Sequence, residues 1–157
     1  MKKAFLFDWG NTIMKDFPDE IGPMAHWNKI QIMPNGDRVL DELSKRAVCC
    51  LATNAKDSNK EEICKALARV NIKMFFHDVF CYREIGYSKP SKEYFEYIVK
   101  KLKMSKNDIL MIGDSLETDV QGALNFGFEA VLYDPSNLYP IYKGVRITDL
   151  KELLTLY

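Results

Sequence analysis

Short apolar runs alternate with amphipathic segments along the chain. The runs are only a few residues long and read as buried strands; they cover residues 2–7, 47–54, 78–82, 108–114 and 129–134. Apolar residues at helical spacing predict helices over 34–46, 57–70, 89–103 and 117–127, followed by a turn and a last helix within 146–157. Strands alternating with helices predict an α/β fold, in which a mostly parallel sheet carries helices on both faces.

Local signals refine the ends of these helices. Ser58 and Glu61 have the spacing of a capping box before the second helix. Pro90 suits the first turn of the third helix, and Gly127 suits the end of the fourth. Residues 13–33 show neither period, so we expect one domain over 1–157 in which this stretch is a short loop insert.

Composition and charge exclude several classes of protein. Lysine plus arginine and aspartate plus glutamate each number 22, which gives no long-range attraction to nucleic acid or to an anionic membrane. No apolar run approaches the roughly 20 residues that span a bilayer. Asp8 interrupts the N-terminal apolar stretch too early for a secretory leader, so we expect a cytoplasmic protein. The four cysteines lack metal-site spacing and are expected to be buried free thiols.

Polar side chains follow the predicted strands, where ligands bind in parallel α/β sheets. They are Asp8, Thr53 with Asn54, Lys89 after a short loop, and Asp114 with Asp119. Carboxylates at strand ends suit Mg²⁺, which prefers oxygen ligands and often shares them with a phosphate. A threonine hydroxyl beside a helix N-terminus, together with a lysine, suits the phosphate itself. An aspartate placed there can attack phosphorus, so the set predicts phosphoryl transfer.

These residues also carry a family resemblance. The segments FDWGNT, LATNA, YSKP and MIGDSLETDVQGA resemble, in order and spacing, the four motifs of the haloacid dehalogenase superfamily. The resemblance implies a Rossmann-like three-layer sandwich without a large cap domain. It also implies Mg²⁺-dependent hydrolysis of phosphate esters through an aspartyl phosphate.

The same resemblance implies a role for each matching residue. Asp8 is the nucleophile and a metal ligand, and Thr53 and Lys89 bind the phosphoryl group. Asp114 and the backbone carbonyl of Gly10 are further metal ligands, and Asp119 supports them from behind. We also expect Asn54 and Trp9 to contact the substrate.

The chain departs from the family pattern at Gly10. Phosphatases of this family usually carry there a second aspartate, which protonates the leaving group and then activates water. Such help is worth about 10² to 10⁴ in rate. We therefore expect slow hydrolysis, or a preference for good leaving groups such as acyl, sugar 1- or aryl phosphates. Two alternatives remain open: a regulatory domain that binds phosphate and metal with negligible turnover, and a hydrolase acting on a carbon–halogen or carbon–phosphorus bond.

The short insert bears on the partners. Residues 13–33 form a loop over the site rather than a roof, so either a larger phosphorylated substrate or a second subunit would close it. We expect Phe17, Met24, His26 and Trp27 near its mouth, with Asp16, Asp19 and Glu20 solvated. Neither a membrane nor a nucleic acid is an expected partner.

Overall fold

Six parallel strands form the centre of the protein in the computed structural model, which describes all 157 residues. The strands are β1 (Ala4–Phe7), β2 (Val48–Ala52), β3 (Asp78–Phe80), β4 (Ile109–Gly113), β5 (Glu129–Tyr133) and β6 (Arg146–Ile147). Their order across the sheet is β3-β2-β1-β4-β5-β6, and every neighbouring pair is parallel. The order reverses at β1, so a crevice opens beyond the carboxyl end of that strand.

Helices cover both faces of the sheet, which confirms the predicted fold class. The helices are α1 (Gly36–Ser44), α2 (Lys60–Arg69), α3 (Tyr82–Ile85), α4 (Lys92–Leu102), α5 (Gly122–Phe126) and α6 (Leu153–Leu156). Buried residues of α1, α2 and α6 pack on one face, and those of α4 and α5 pack on the other. A π-helical segment, Leu116–Gln121, leads into α5.

Alternation within the strands builds the two apolar layers. Phe5 and Phe7 belong to one layer, and Leu6 lies in the other. The adjacent Cys49 and Cys50 likewise face opposite layers, and both thiols are free and buried. Because successive side chains of a strand point to opposite faces, a strand without polar residues packs into both apolar layers.

Four local predictions need correction. The capping box of α2 uses Asn59 and Glu62, one residue later than predicted, because Ser58 is buried with its hydroxyl on Asp57. Helix α4 begins after its N-cap Ser91, so Pro90 precedes the helix. The third strand ends at Phe80, and the two-residue strand β6 replaces the predicted turn. By contrast, Gly127 ends α5 with φ of 102°, as predicted.

Residues 13–33 run as a loop between β1 and α1. Residues 13–33 contain one short 3₁₀ turn, Met24–His26, and isolated bridges join Met14 to Gly10 and to Ile32. The guanidinium of Arg69 on α2 holds that turn by donating to the carbonyls of Ala25 and Trp27 at 3.0 and 2.8 Å. No helix of the structure combines the length and the apolar character needed to span a bilayer.

Candidate active site

A buried lysine amine lies at the centre of the polar cluster beyond β1. Lys89 Nζ donates to Asp8 Oδ1 at 2.7 Å, to Asp119 Oδ1 at 2.7 Å and to the carbonyl of Ala52 at 2.6 Å. All three of its N–H donors are thereby used. Burial alone lowers the pKa of this amine, but the carboxylates of Asp8 and Asp119 outweigh burial and hold the pKa above its ordinary value. Lys89 is therefore a fixed cation behind Asp8 rather than a side chain in the open cleft.

Asn54 fixes the backbone of Lys89. Its side-chain amide donates to the carbonyl of Lys89 at 2.9 Å, and its side-chain oxygen accepts from the N–H of the same residue at 2.8 Å. The sequence predicted a contact between Asn54 and phosphate. In the structure, this paired contact gives Asn54 a positioning role across two loops that are 35 residues apart.

Asp119 lies behind the lysine. Its second oxygen accepts from the N–H of Ser115 at 3.1 Å, and its side chain is 2% exposed. Gly113 leaves room for it, because a Cβ at position 113 would lie 2.1 Å from Asp119 Oδ2. Burial raises the pKa of Asp119 above its usual range, although the nearby ammonium opposes the shift.

Thr12 links the two carboxylates that face the cleft. Its hydroxyl lies 3.3 Å from both Asp8 Oδ2 and Asp114 Oδ1, and it accepts from the N–H of Asp114 at 3.1 Å. A hydroxyl has one proton, so it can donate to only one of the two oxygens at a time. Thr12 is the last residue of the segment FDWGNT, where a role in shaping the loop after β1 was all that its position indicated.

The donor set suits a hard cation. Carboxylate oxygens of Asp8, Asp114 and Asp119 all lie within 4.8 Å of one another. The cluster contains three carboxylates but only one ammonium, so it carries an excess of negative charge. Burial, followed by the charges of Asp8 and Asp119, raises the pKa of Asp114 well above its usual range. A divalent cation bound by oxygen would relieve this repulsion, so the residues present fit Mg²⁺.

An open cleft of about 540 Å³ lies in front of the cluster. Of the predicted residues, it is lined by Asp8, Trp9, Gly10, Asp16, Met24, Trp27, Thr53, Asn54 and Asp114; Lys56 and Asp57 also line it. Phe17 and His26, which we expected at the mouth, do not line it. Trp9 is 4% exposed, and its indole N–H has no hydrogen-bond partner.

Thr53 ends up in a loop rather than beside a helix. Its hydroxyl accepts from the N–H of Ala55 at 3.1 Å, and α2 begins only at Lys60. The expectation of an adjacent helix N-terminus was therefore wrong. The loop after β2 nevertheless brings the side chain of Thr53 to the cleft wall beside Asp8.

Asp16 also differs from expectation. The residue is exposed, as a solvated loop predicts, but its carboxylate lies in the cleft wall against Gly10. Partial loss of solvent, followed by the charge of Asp8, raises the pKa of this carboxyl. No local pattern separates Asp16 from Asp19 or Glu20, because the path of the loop decides which carboxylate turns inward.

Comparison with known proteins assigns the chain to a family. Residues 17–127 match the model for the haloacid dehalogenase-like hydrolases. The chain belongs to this family. Thr53, Lys89, Asp114 and Asp119 lie within the matched stretch, and Asp8 precedes it.

Curated relatives of this haloacid dehalogenase-like hydrolase include named phosphatases. It is 29% identical over 113 residues to the ribulose-1,5-bisphosphate 5-phosphatase of Halopiger xanaduensis, covering 71% of this chain and 46% of that protein. It is 33% identical over 99 residues to human N-acylneuraminate-9-phosphatase, covering 63% and 39%. The chain thus spans less than half the length of these relatives.

Solved structures share the fold. The HAD-hydrolase YfnB of Bacillus subtilis, bound to magnesium, superposes with a TM-score of 0.79 at 19% identity over 99% of this chain and 98% of the other. A protein from Listeria monocytogenes serotype 4b superposes with a TM-score of 0.84 at 21% identity over 98% and 97%. At these identities the likeness shows the fold alone.

Proposed function

We propose that this chain is a Mg²⁺-dependent phosphatase that forms an aspartyl phosphate on Asp8. The observation that carries the proposal is the buried ammonium of Lys89, which holds one oxygen of Asp8 at the wall of the cleft and leaves the other outside the ion pair. A carboxylate fixed in this way has one oxygen aimed at an incoming phosphorus atom. Fixing the nucleophile before the substrate arrives removes part of the orientation cost of the reaction.

Each remaining residue serves the transferring group or the nucleophile. Asp8 and Asp114 would hold Mg²⁺, which when bound neutralises charge on the phosphoryl oxygens. Thr53 and the following residues 54–57 of the loop after β2 line the cleft where those oxygens would lie. Asp119 and Asn54 keep Lys89 in place, so the attacking oxygen of Asp8 keeps its direction.

The substrate that we propose is a phosphorylated compound large enough to supply its own cover. The cleft is open, and its lining includes the apolar side chains of Trp9, Met24 and Trp27. The charged residues Lys56 and Asp57 also line it. The named phosphatases among the curated relatives support a phosphate monoester as the substrate class. Because Gly10 cannot protonate a leaving group, a site without another acid would favour substrates with good leaving groups.

Asp8→Asn tests the nucleophile. The amide keeps an oxygen for Lys89 but cannot attack phosphorus, so turnover of an aryl phosphate and of acetyl phosphate should fall by more than about 10³-fold. EDTA should abolish wild-type turnover, and added Mg²⁺ should restore it. Asp19→Asn, on the same loop but outside the cleft lining, is the matched control and should retain wild-type rates.

Other outcomes favour the two alternatives. Saturable binding of Mg²⁺ and inorganic phosphate without turnover would overturn the enzyme and favour a regulatory domain. Release of halide from a 2-haloacid in EDTA would favour a carbon–halogen hydrolase, because that reaction needs no metal to neutralise a phosphoryl group. Turnover that persists in Asp8→Asn would contradict the assigned nucleophile.

A further inference from the structure

The carboxylate of Asp16 occupies the space that a side chain at position 10 would enter. A Cβ built on Gly10 would lie 2.6 Å from Asp16 Oδ2 and 2.9 Å from Asp16 Oδ1. Both distances are shorter than an ordinary van der Waals contact, so a side chain at position 10 and the carboxylate of Asp16 would occupy the same space in the cleft wall. Gly10 is thus the residue that lets the carboxylate of Asp16 approach.

The loop between these residues is built to hold Asp16 there. The side-chain oxygen of Asn11 accepts from the N–H of Asp16 at 3.0 Å, and its amide lies 3.4 Å from Asp16 Oδ2. Asn11 has φ of 56°, a left-handed conformation that asparagine tolerates better than most residues. Its N–H donates to the carbonyl of Met14 at 2.6 Å, and the N–H of Lys15 donates to Gln31 at 2.8 Å. Residues 10–16 therefore turn back on themselves and end with Asp16 at the cleft.

Hydrolysis through Asp8 needs a proton at two moments. The leaving oxygen must gain one when its bond to phosphorus breaks, and the attacking water must lose one later. Asp119 is tied to Lys89 and Ser115, while Asp8 and Asp114 form the nucleophile and metal cluster. Of the carboxylates lining the cleft, Asp16 and Asp57 remain, and the hydroxyl of Ser58 donates to Asp57 at 3.1 Å.

We propose that Asp16 is the general acid and base of this site, supplying from the loop what position 10 lacks. The inference rests on the proposed phosphatase function. In the first step Asp8 Oδ2 bonds to phosphorus, the bond from phosphorus to the leaving oxygen breaks, and that oxygen takes the proton of the Asp16 carboxyl. In the second step the Asp16 carboxylate takes a proton from water. The water oxygen bonds to phosphorus, and the bond from phosphorus to Asp8 breaks. Phosphate is released, Asp8 is again a carboxylate and Asp16 is again protonated.

Leaving-group dependence separates this role from a structural one. We would measure kcat/KM for 4-nitrophenyl, phenyl and methyl phosphate, which share a phosphoryl group and differ in leaving-group basicity. The wild type should hydrolyse all three. Asp16→Asn should lose little with 4-nitrophenyl phosphate and about 10² to 10⁴-fold with methyl phosphate. Asp19→Asn is the matched control, and circular dichroism with thermal melting checks that each variant is folded.

A burst experiment reads the second step. With 4-nitrophenyl phosphate, Asp16→Asn should release one equivalent of nitrophenolate rapidly and then turn over slowly. The phosphorylated protein should then accumulate, and mass spectrometry should locate the phosphate on Asp8. A variant with a merely loosened loop would lose rate in both steps and would show no such accumulation.

Each other outcome overturns a defined part. Wild-type rates and no burst in Asp16→Asn, with turnover still dependent on Asp8, would overturn Asp16 and leave the phosphatase standing. An equal loss on all three substrates without a burst would also overturn Asp16, as would the expected pattern appearing in Asp57→Asn instead. No Asp8-dependent turnover in the wild type would overturn the proposed function and this inference together.

Moving the carboxylate gives an independent check. Gly10→Asp alone should not accelerate hydrolysis, because the new side chain would displace the Asp16 carboxylate and so replace one acid by another. Gly10 has no left-handed φ, so position 10 accepts an aspartate once Asp16 is shortened. The double variant Gly10→Asp with Asp16→Gly should exceed Asp16→Gly at least about 10-fold on methyl phosphate. A folded double variant without that recovery would contradict the equivalence of the two positions.

Discussion

Replacing Gly113 by alanine tests whether close packing behind the cleft holds the buried ion pair. A Cβ at this position would lie 2.1 Å from Asp119 Oδ2 and 2.5 Å from Asp119 Cβ. Rotating the aspartate moves its carboxylate but not its Cβ, so the end of β4 and the segment after it must also separate, by about 1 Å. Such a shift removes the contacts of Asp119 with Lys89 and with the N–H of Ser115.

The magnitude follows from those two hydrogen bonds. Each involves a charged group and is worth about 1.5 to 3 kcal/mol. Displacing one partner of a buried ion pair costs about 3 to 5 kcal/mol in other proteins. We expect Gly113→Ala to lower the free energy of unfolding by about 3 to 5 kcal/mol, measured by urea unfolding. Lys89 then loses one of its two carboxylate partners and holds Asp8 less firmly, so kcat should fall about 10²-fold.

A double-mutant cycle decides whether Asp119 is the cause. Asp119→Gly removes the three atoms nearest to the new methyl group, while Lys89 keeps its contact with Asp8. In that background Gly113→Ala should cost less than about 1 kcal/mol. An equal cost in both backgrounds would refute the reasoning and would place the strain elsewhere in the strand.

Three further predictions concern Asn54, Asp134 and the four thiols. Asn54→Ala should lower kcat about 10-fold in steady-state assays, because Lys89 loses both backbone hydrogen bonds that fix it. Burial would raise the pKa of Asp134, but two backbone N–H donors and Arg146 outweigh it and lower that pKa. The stability that Asp134 contributes is therefore present above its unfolded pKa and is lost as the pH falls through its folded pKa. In acid titrations, Asp134→Asn should remove part of the loss of stability below about pH 4. Finally, an aromatic disulfide reagent should label Cys64 first in the native protein and all four thiols in urea. The other three thiols, Cys49, Cys50 and Cys81, are buried.

Much of the layout was readable from the chain. Short, mostly apolar strands alternating with helices give a parallel sheet, and parallel strands bring their carboxyl ends to one edge. That rule alone brings Asp8, Thr53 and Asp114 to one cleft. The errors in the secondary structure are local. Strand β6 has two residues, too few for an alternating pattern to be visible. Ser58 with Glu61 and Asn59 with Glu62 have the same capping-box spacing, and only the burial of Ser58 distinguishes the two pairs.

The tertiary structure alone decided which groups meet inside that cleft. Asn54 holds the backbone of Lys89, 35 residues further along the chain. Thr12 lies between the carboxylates of Asp8 and Asp114, which are far apart in the sequence. Periodicity reports which face of an element is buried, whereas these contacts depend on the strand order and on the path of each loop. Asp16 is the clearest case. Asp19 and Glu20 of the same loop are equally acidic, and only the turn at Asn11 brings the carboxylate of Asp16 against Gly10, where the absence of a side chain leaves it room.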